Sequence, residues 1–220
     1  MKAFLDFDGV ICDSAFEAFR IGLVVSGGVS DPMDNKLDDL YLDFLKKRAD
    51  VGPAWNYLYV FQELLNDEWS HWDKTNTALD FQKKFFEVRA KFKTSSELDW
   101  LKLHKFYDDV VVAMNDSDIE LNILTNKNKD PVKRLVDLVG LNIRNIYSMP
   151  EMENISSKAD FLSGVSGELK FIDDHPGIVR EVISATNISV DSKQASWGYC
   201  NEIVAGHAIS IDKFGEWLNG

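Results

Sequence analysis

The chain has 220 residues, 45% of them hydrophobic and 27% charged, and a formal net charge of −12; this is an ordinary globular composition, long enough for one core plus a smaller insert. The charge balance argues against nucleic-acid binding, which needs Lys and Arg to neutralise phosphates, but not against a small phosphorylated substrate held by a cation and a few local basic groups. No apolar run approaches the ~20 residues of a membrane span, so no membrane partner is expected.

The segment from Lys2 to Asp8 reads as a short strand ending in carboxylates, with Gly9 turning the chain. Asp6, Asp8 and Asp13 interrupt the apolar stretch that a signal peptide would need. From Ser14 to about Val25, the residues Phe16, Phe19, Leu23 and Val24 recur at helical spacing, and Ser26-Gly27-Gly28 ends that helix.

Residues from about 34 to 110 read as almost wholly helical. Leu37, Leu40, Tyr41, Phe44 and Leu45 form one stripe. Tyr57, Leu58, Phe61, Leu64 and Leu65 form a second, after a break at Gly52-Pro53, and Phe81, Phe85, Phe86, Val88 and Phe92 form a third. Such aromatic stripes predict helix–helix packing rather than a cofactor pocket. A further helix is expected from about Lys105 to Met114.

Strands and helices then alternate. Ile119 to Thr125 is a strand, Pro131 to about Leu138 a helix ending near Gly140, and Ile143 to Tyr147 a strand. Lys158 to about Val165 is a short helix, Leu169 to Ile172 a strand ending in Asp173-Asp174, and Gly177 to Ser184 a helix. Ile188 to Val190 is extended, Ala208 to Ile211 is a last short strand, and Asp212 to Leu218 is helical. The alternation predicts an α/β fold with a Rossmann-like parallel sheet core. The helical block lies between the first and second strands, so it is expected to be an all-helical cap inserted into that core: residues 1–14 and 111–220 form the core, and 15–110 the cap. Cys12 and Cys200 fit neither a disulfide framework nor a zinc pattern; they are expected to be reduced thiols in a cytoplasmic protein.

Three pieces place polar residues just after a strand: Asp6-Phe7-Asp8-Gly9, Thr125-Asn126-Lys127 and Asp173-Asp174. In an open parallel sheet these strand ends meet in the ligand crevice. Two like charges ~4 Å apart repel by about 4 kcal/mol at an effective dielectric near 20. Four carboxylates in one crevice therefore imply protonation or a cation, and oxygen ligands in this number suit Mg²⁺. Taken alone, Asp173-Asp174 reads equally well as a cap on the following helix. A carboxylate is also a nucleophile toward phosphorus, and a second carboxyl group protonates the leaving oxygen and later activates water. Thr125, the amide of Asn126 and a lysine would supply the donors and positive charge that phosphoryl transfer needs.

Asp6-Phe7-Asp8-Gly9-Val10-Ile11 resembles the first motif of the haloacid dehalogenase-like hydrolase superfamily. Ile123-Leu124-Thr125-Asn126-Lys127 resembles the second motif, Lys158 is placed like the third-motif lysine, and Phe171-Ile172-Asp173-Asp174 resembles the fourth. The order matches, the resemblance extends through Trp197-Gly198-Tyr199, and the insert is similar to the helical C1-type cap. The resemblance implies that Asp6 is the nucleophile and a metal ligand. Asp8 would be the general acid/base and bind the metal through its backbone carbonyl, Thr125 would hold the phosphoryl group, and Lys158 would neutralise Asp6 and the phosphate. Asp173 or Asp174 would complete the Mg²⁺ site. Ser157-Lys158-Ala159-Asp160 lacks the family's frequent Lys-Pro pair, which leaves Lys127 and Lys129 as competitors for the lysine role.

Gly9 and Asn126 in the core and Arg48 and Trp55 in the cap are the expected substrate contacts; Arg20 and Asn56 lie near the same cap breaks. An arginine there would clamp a carboxylate or second phosphate, or else form a plain ion pair. His175 either serves catalysis or orients the acidic loop. The implied activity is hydrolysis of a small phosphorylated metabolite. The alternatives are a phosphomutase using the same groups and a non-catalytic binding protein, with a dehalogenase less expected because that branch needs neither Asp8 nor a metal.

Overall fold

The computed structural model describes residues 1–65, 77–185, 187 and 189–220. The chain divides into two compact units, Met1–Asp13 with Phe106–Gly220, and Ser14–Lys105.

The first unit is built on a six-stranded parallel sheet in the order β5-β4-β1-β6-β7-β8. Its strands are β1 (Lys2–Leu5), β4 (Glu120–Thr125), β5 (Asn145–Ser148), β6 (Leu169–Asp173), β7 (Val190–Ala195) and β8 (Ala208–Ile209). Two-residue strands β2 (Cys12–Asp13) and β3 (Lys105–Phe106) complete the set among the described residues. Strands β1, β4 and β6 carry near-continuous buried runs, as a sheet covered on both faces requires. The chain goes from β1 to β4 and β5 on one side, then crosses to β6 and β7 on the other. In open parallel sheets such a reversal is the place where ligands bind, and here it falls at the carboxyl ends of β4, β1 and β6.

Helices of this unit are α6 (Asp108–Asn115), α7 (Lys129–Val139), α8 (Lys158–Ser163), α9 (Pro176–Ser184) and α10 (Ile211–Asn219). Gly140 closes α7 at φ +67°, the left-handed conformation that glycine adopts without steric cost. Lys170, buried on β6, donates to the carbonyls of Trp217 and Leu218, satisfying acceptors that the end of α10 leaves open.

Among the described residues, the α-helices of the second unit are α1 (Ala15–Val25), α2 (Tyr41–Arg48), α3 (Tyr57–Leu65), α4 (Ala78–Ser95) and α5 (Glu97–Lys102). Phe19, Phe44, Phe61, Phe81 and Phe85 are fully buried, and their rings form a chain of contacts: Phe19–Phe44 at 5.3 Å, Phe44–Phe61 at 5.6 Å and Phe61–Phe81 at 6.4 Å. The aromatic stripes are thus packing surfaces. Helix α1 is buried almost all round, and a Cβ at Gly22 would overlap the Phe61 ring. Glu17, also fully buried, receives two 2.7 Å bonds from Arg89 and a 3.3 Å bond from Trp100 Nε1. A buried carboxylate persists only with such compensation.

Several expectations need correction. Lys105–Phe106 is extended and the helix starts at Asp108, where Asp108 and Asp109 give it an acidic first turn. Phe86 is exposed and leaves the α4 stripe to Phe81, Phe85 and Phe92. Strand β7 runs to Ala195, well past the expected Ile188–Val190. Ile188 itself, and the helical reading across residues 66–76, lie outside the described residues.

Candidate active site

Strand register brings the candidate side chains together. Leu5 of β1 pairs with Ile123 of β4 on one side and with Ile172 of β6 on the other. The next residues along, Asp6, Leu124-Thr125 and Asp173, therefore stand side by side at the carboxyl edge of the sheet. Asp6, Thr125, Asp173 and Asp174 are all buried.

Lys158 links two of these carboxylates. Its Nζ donates to Asp6 Oδ1 at 2.8 Å and to Asp173 Oδ2 at 2.7 Å. It is the first residue of α8, a helix started by the Ser157 side chain, which accepts from the Asp160 N–H at 3.2 Å. Asp160 in turn accepts from the Ser156 N–H at 2.9 Å. A serine cap thus begins the helix here without a proline. A cation is disfavoured at a helix N-terminus; the two carboxylates offset this and hold the Lys158 ammonium charged, with its pKa raised despite burial.

Burial raises the Asp6 carboxyl to about 6; Lys158 opposes that rise, and the neighbouring charges of Asp173 and Asp8 add to it. No described residue donates a hydrogen bond to Oδ2 of Asp6, which leaves that oxygen available to a reacting group. Asp8 turns to a different lysine: Lys127 Nζ donates to its Oδ1 at 2.8 Å. Lys127 is itself buried, lies 5.7 Å from the Phe7 ring centre, and donates its backbone N–H to Thr125 Oγ1 at 3.1 Å. Lys129 lies at the start of α7 and donates its backbone N–H to Glu151 at 2.7 Å. Of the three lysines considered, Lys158 meets Asp6 and Lys127 meets Asp8.

Gly9 sits at φ +83°, and a Cβ there would come 2.7 Å from Asp174 Cγ, so the turn needs glycine on both counts. Asn126 is exposed between Thr125 and Lys127. Asp173 Oδ1 accepts from the His175 N–H at 2.8 Å, while the His175 ring accepts from Gly177 N at 3.2 Å and caps α9. The ring therefore serves the loop and its helix. Asp174 Oδ2 accepts from the Tyr199 N–H at 2.6 Å. Tyr199 and Gly198 thus border the acidic cluster; residue type alone does not single them out, and the Trp-Gly-Tyr stretch is their one signal in the sequence.

In the helical unit, Arg48 Nη1 donates to the Val51 carbonyl at 3.2 Å and its guanidinium lies 5.8 Å from the Tyr57 ring centre. Trp55 is half-buried and meets Tyr59 edge-on at 6.3 Å. Arg20 is buried in an ion pair with Asp38 at 2.9 Å and also bonds the Asp34 carbonyl, so it has the plain structural role.

The donor set fits a hard divalent cation. One carboxylate oxygen from each of Asp6, Asp173 and Asp174 lies within 4.8 Å of the other two, all three residues being buried. Counting Asp8, four carboxylates face two ammonium groups, which leaves two negative charges when all are ionised. Oxygen-only donors and a deficit of two charges are what such a cation requires. The Asp8 carboxylate, engaged by Lys127, is outside that cluster.

No family model and no curated protein matches the chain. Solved structures, however, share its fold over most of its length. A haloacid dehalogenase-like hydrolase from Streptococcus pneumoniae, 13% identical, superimposes with a TM-score of 0.58 over 91% of this chain and 87% of its own. A predicted phosphoglycolate phosphatase from Haemophilus somnus, 12% identical, has a TM-score of 0.62 over 98% and 96%. Protein tyrosine kinase A from Mycobacterium tuberculosis, 17% identical, has a TM-score of 0.65 over 100% and 98%. At these identities the likeness is one of fold: the chain has the α/β fold seen in haloacid dehalogenase-like hydrolases. A protein described as a kinase shares it, so the reaction has to be argued from the site.

Proposed function

We propose that the chain is a Mg²⁺-dependent phosphoric monoester hydrolase that attacks a small phosphorylated metabolite with the carboxylate of Asp6. The observation that carries this reading is the Asp6–Lys158–Asp173 bridge at adjacent parallel strand ends, with Asp174 beside it. A buried carboxylate with one open oxygen, an ammonium group and an acidic cluster are what carboxylate-driven phosphoryl transfer requires.

In the first step Asp6 attacks phosphorus, an Asp6 acyl-phosphate forms, and the bond to the leaving oxygen breaks. Asp8 gives its proton to that oxygen. In the second step Asp8 takes a proton from water, the resulting hydroxide attacks phosphorus, and the bond to Asp6 breaks to release inorganic phosphate. Thr125 and the Asn126 amide hold the phosphoryl oxygens, while Lys158 offsets their charge. Mg²⁺, held by Asp6, Asp173, Asp174 and the Asp8 backbone carbonyl, would add positive charge toward the same oxygens. Arg48 and Trp55 of the helical unit and Gly9 of the first unit are the first candidates for contacts that select the rest of the substrate.

The test is hydrolysis of an aryl phosphate with and without excess chelator, followed by a panel of phosphorylated metabolites. Release of inorganic phosphate that needs Mg²⁺ supports the reading. Undiminished release in chelator overturns the metal requirement, and return of the phosphoryl group to a sugar would identify a mutase instead.

A further inference from the structure

The Asp174 carboxylate is held by a segment outside the strand-end motifs. Tyr199 donates its backbone N–H to Oδ2 at 2.6 Å. A Cβ on Gly198 would come 2.7 Å from the same Oδ2 and 2.5 Å from the Gly9 carbonyl oxygen, so the carboxylate is packed between the backbones of Gly9 and Gly198.

The loop is itself tied down. Gln194, fully buried on β7, donates Nε2 to the carbonyls of Asp174 at 3.1 Å and Glu202 at 2.8 Å, and its Oε1 accepts from the Val204 N–H at 2.7 Å. Trp197 Nε1 donates to the Val10 carbonyl at 3.1 Å, and the Tyr199 hydroxyl donates to Asp13 Oδ1 at 2.6 Å. One loop therefore grips the end of β6 and the turn after β1 together.

We infer that the Gly198–Tyr199 segment is a positioning element for cation binding: the Tyr199 N–H and the bare Cα of Gly198 hold Asp174 where its carboxylate meets those of Asp6 and Asp173. The inference rests on the Mg²⁺ reading given above. A charged acceptor gains more from such a bond than a neutral one, and a carboxylate fixed in one rotamer loses less entropy when it ligates. Groups that orient ligands are typically worth about 10–100-fold in metal affinity.

The donor is a backbone group, so the informative pair is Tyr199→Ala, which keeps the N–H, and Tyr199→Pro, which removes it. Titration calorimetry with Mg²⁺ alone should give the Pro variant a Kd about 10–100-fold weaker than that of the Ala variant; both lack the hydroxyl bond to Asp13, so the comparison isolates the N–H. Gly198→Ala provides a second route should Tyr199→Pro fail to fold, with a loss of the same size expected. In an Asp174→Asn background the difference between Pro and Ala should vanish, because the N–H acts through that carboxylate. Equal Mg²⁺ affinity of the Pro and Ala variants, or a Gly198→Ala protein that binds like the parent, overturns the inference and leaves the proposed function standing. A parent protein that binds no Mg²⁺ overturns both.

Discussion

Lys127 Nζ lies 2.8 Å from Asp8 Oδ1. Asp6, two residues earlier in the same loop, is held instead by Lys158 at 2.8 Å. The turn at Gly9, with its φ of +83°, follows directly and lets Asp8 leave the direction that strand alternation would impose. The two aspartates thus have separate cations, and the two lysines should fail in different ways when replaced.

Lys158→Met leaves Asp6 and Asp173 buried beside each other with no cation. Breaking a buried pair this way typically costs about 3–5 kcal/mol, so chemical denaturation should show a large loss of stability along with loss of turnover. Lys127→Met uncovers Asp8, whose side chain is 22% exposed and better solvated, so the stability cost should be smaller. Its activity loss should be greater for alkyl phosphates than for aryl phosphates, because proton transfer by Asp8 matters less when the leaving group is good. Equal stability losses for the two variants would contradict the pairing described above.

Asp6→Asn should abolish turnover, since a neutral amide is a poor nucleophile. Asp8→Asn removes proton transfer, a loss on the order of 10²–10⁴-fold. With a good leaving group it should still form the acyl-phosphate and then stall. Rapid quench and mass measurement on the Asp8 variant should find phosphate on Asp6; label on a serine or histidine would point to another nucleophile.

The Asp6 pKa sets a pH dependence for the metal-free protein. Its folded value, about 6, lies above its ordinary 3.8, so the folded state binds the proton more tightly than the unfolded chain. Below the unfolded value both states are protonated and Asp6 costs nothing. As pH rises from there through about 6, stability falls, by a few kcal/mol in order of magnitude, and the penalty persists at neutral pH. In chelator, Asp6→Asn should therefore melt at a higher temperature than the parent at pH 7.5, with a smaller difference near pH 4.5. A parent that melts higher than the variant at pH 7.5 would show that the Lys158 pairing outweighs burial.

Within the helical unit, Arg89→Met strips the guanidinium from the fully buried Glu17 and should cost about 3–5 kcal/mol. The Glu17→Gln/Arg89→Met double variant should recover much of that loss, because the uncompensated charge goes with the glutamate. Urea denaturation of the parent, the single variant and the double variant checks this.

Much of the fold and part of the site are legible in the chain itself. Buried runs such as Ala3–Leu5, Leu121–Leu124 and Leu169–Ile172 identify their strands because a sheet covered on both faces is mostly apolar, here with only Asn122 and Lys170 as polar members of those runs. Their alternation with helices makes the sheet parallel, which sends Asp6, Thr125 and Asp173 to one edge. Strand β7 escaped the same reasoning, since Ser192 and Gln194 are polar yet buried and the Gln194 amide is satisfied by the loop beyond it. Hydrophobic patterning reports local burial and is blind to polar groups whose partners lie elsewhere in the chain. For the same reason it left Lys127, Lys129 and Lys158 in competition. Lys158 meets Asp6 across 152 positions, and Lys127 meets Asp8 across 119. Those meetings arise from the placing of β1 between β4 and β6 and from the point where the Ser157 cap starts α8. Charge pairing follows distance in space, and that distance exists only once the strands have taken their order.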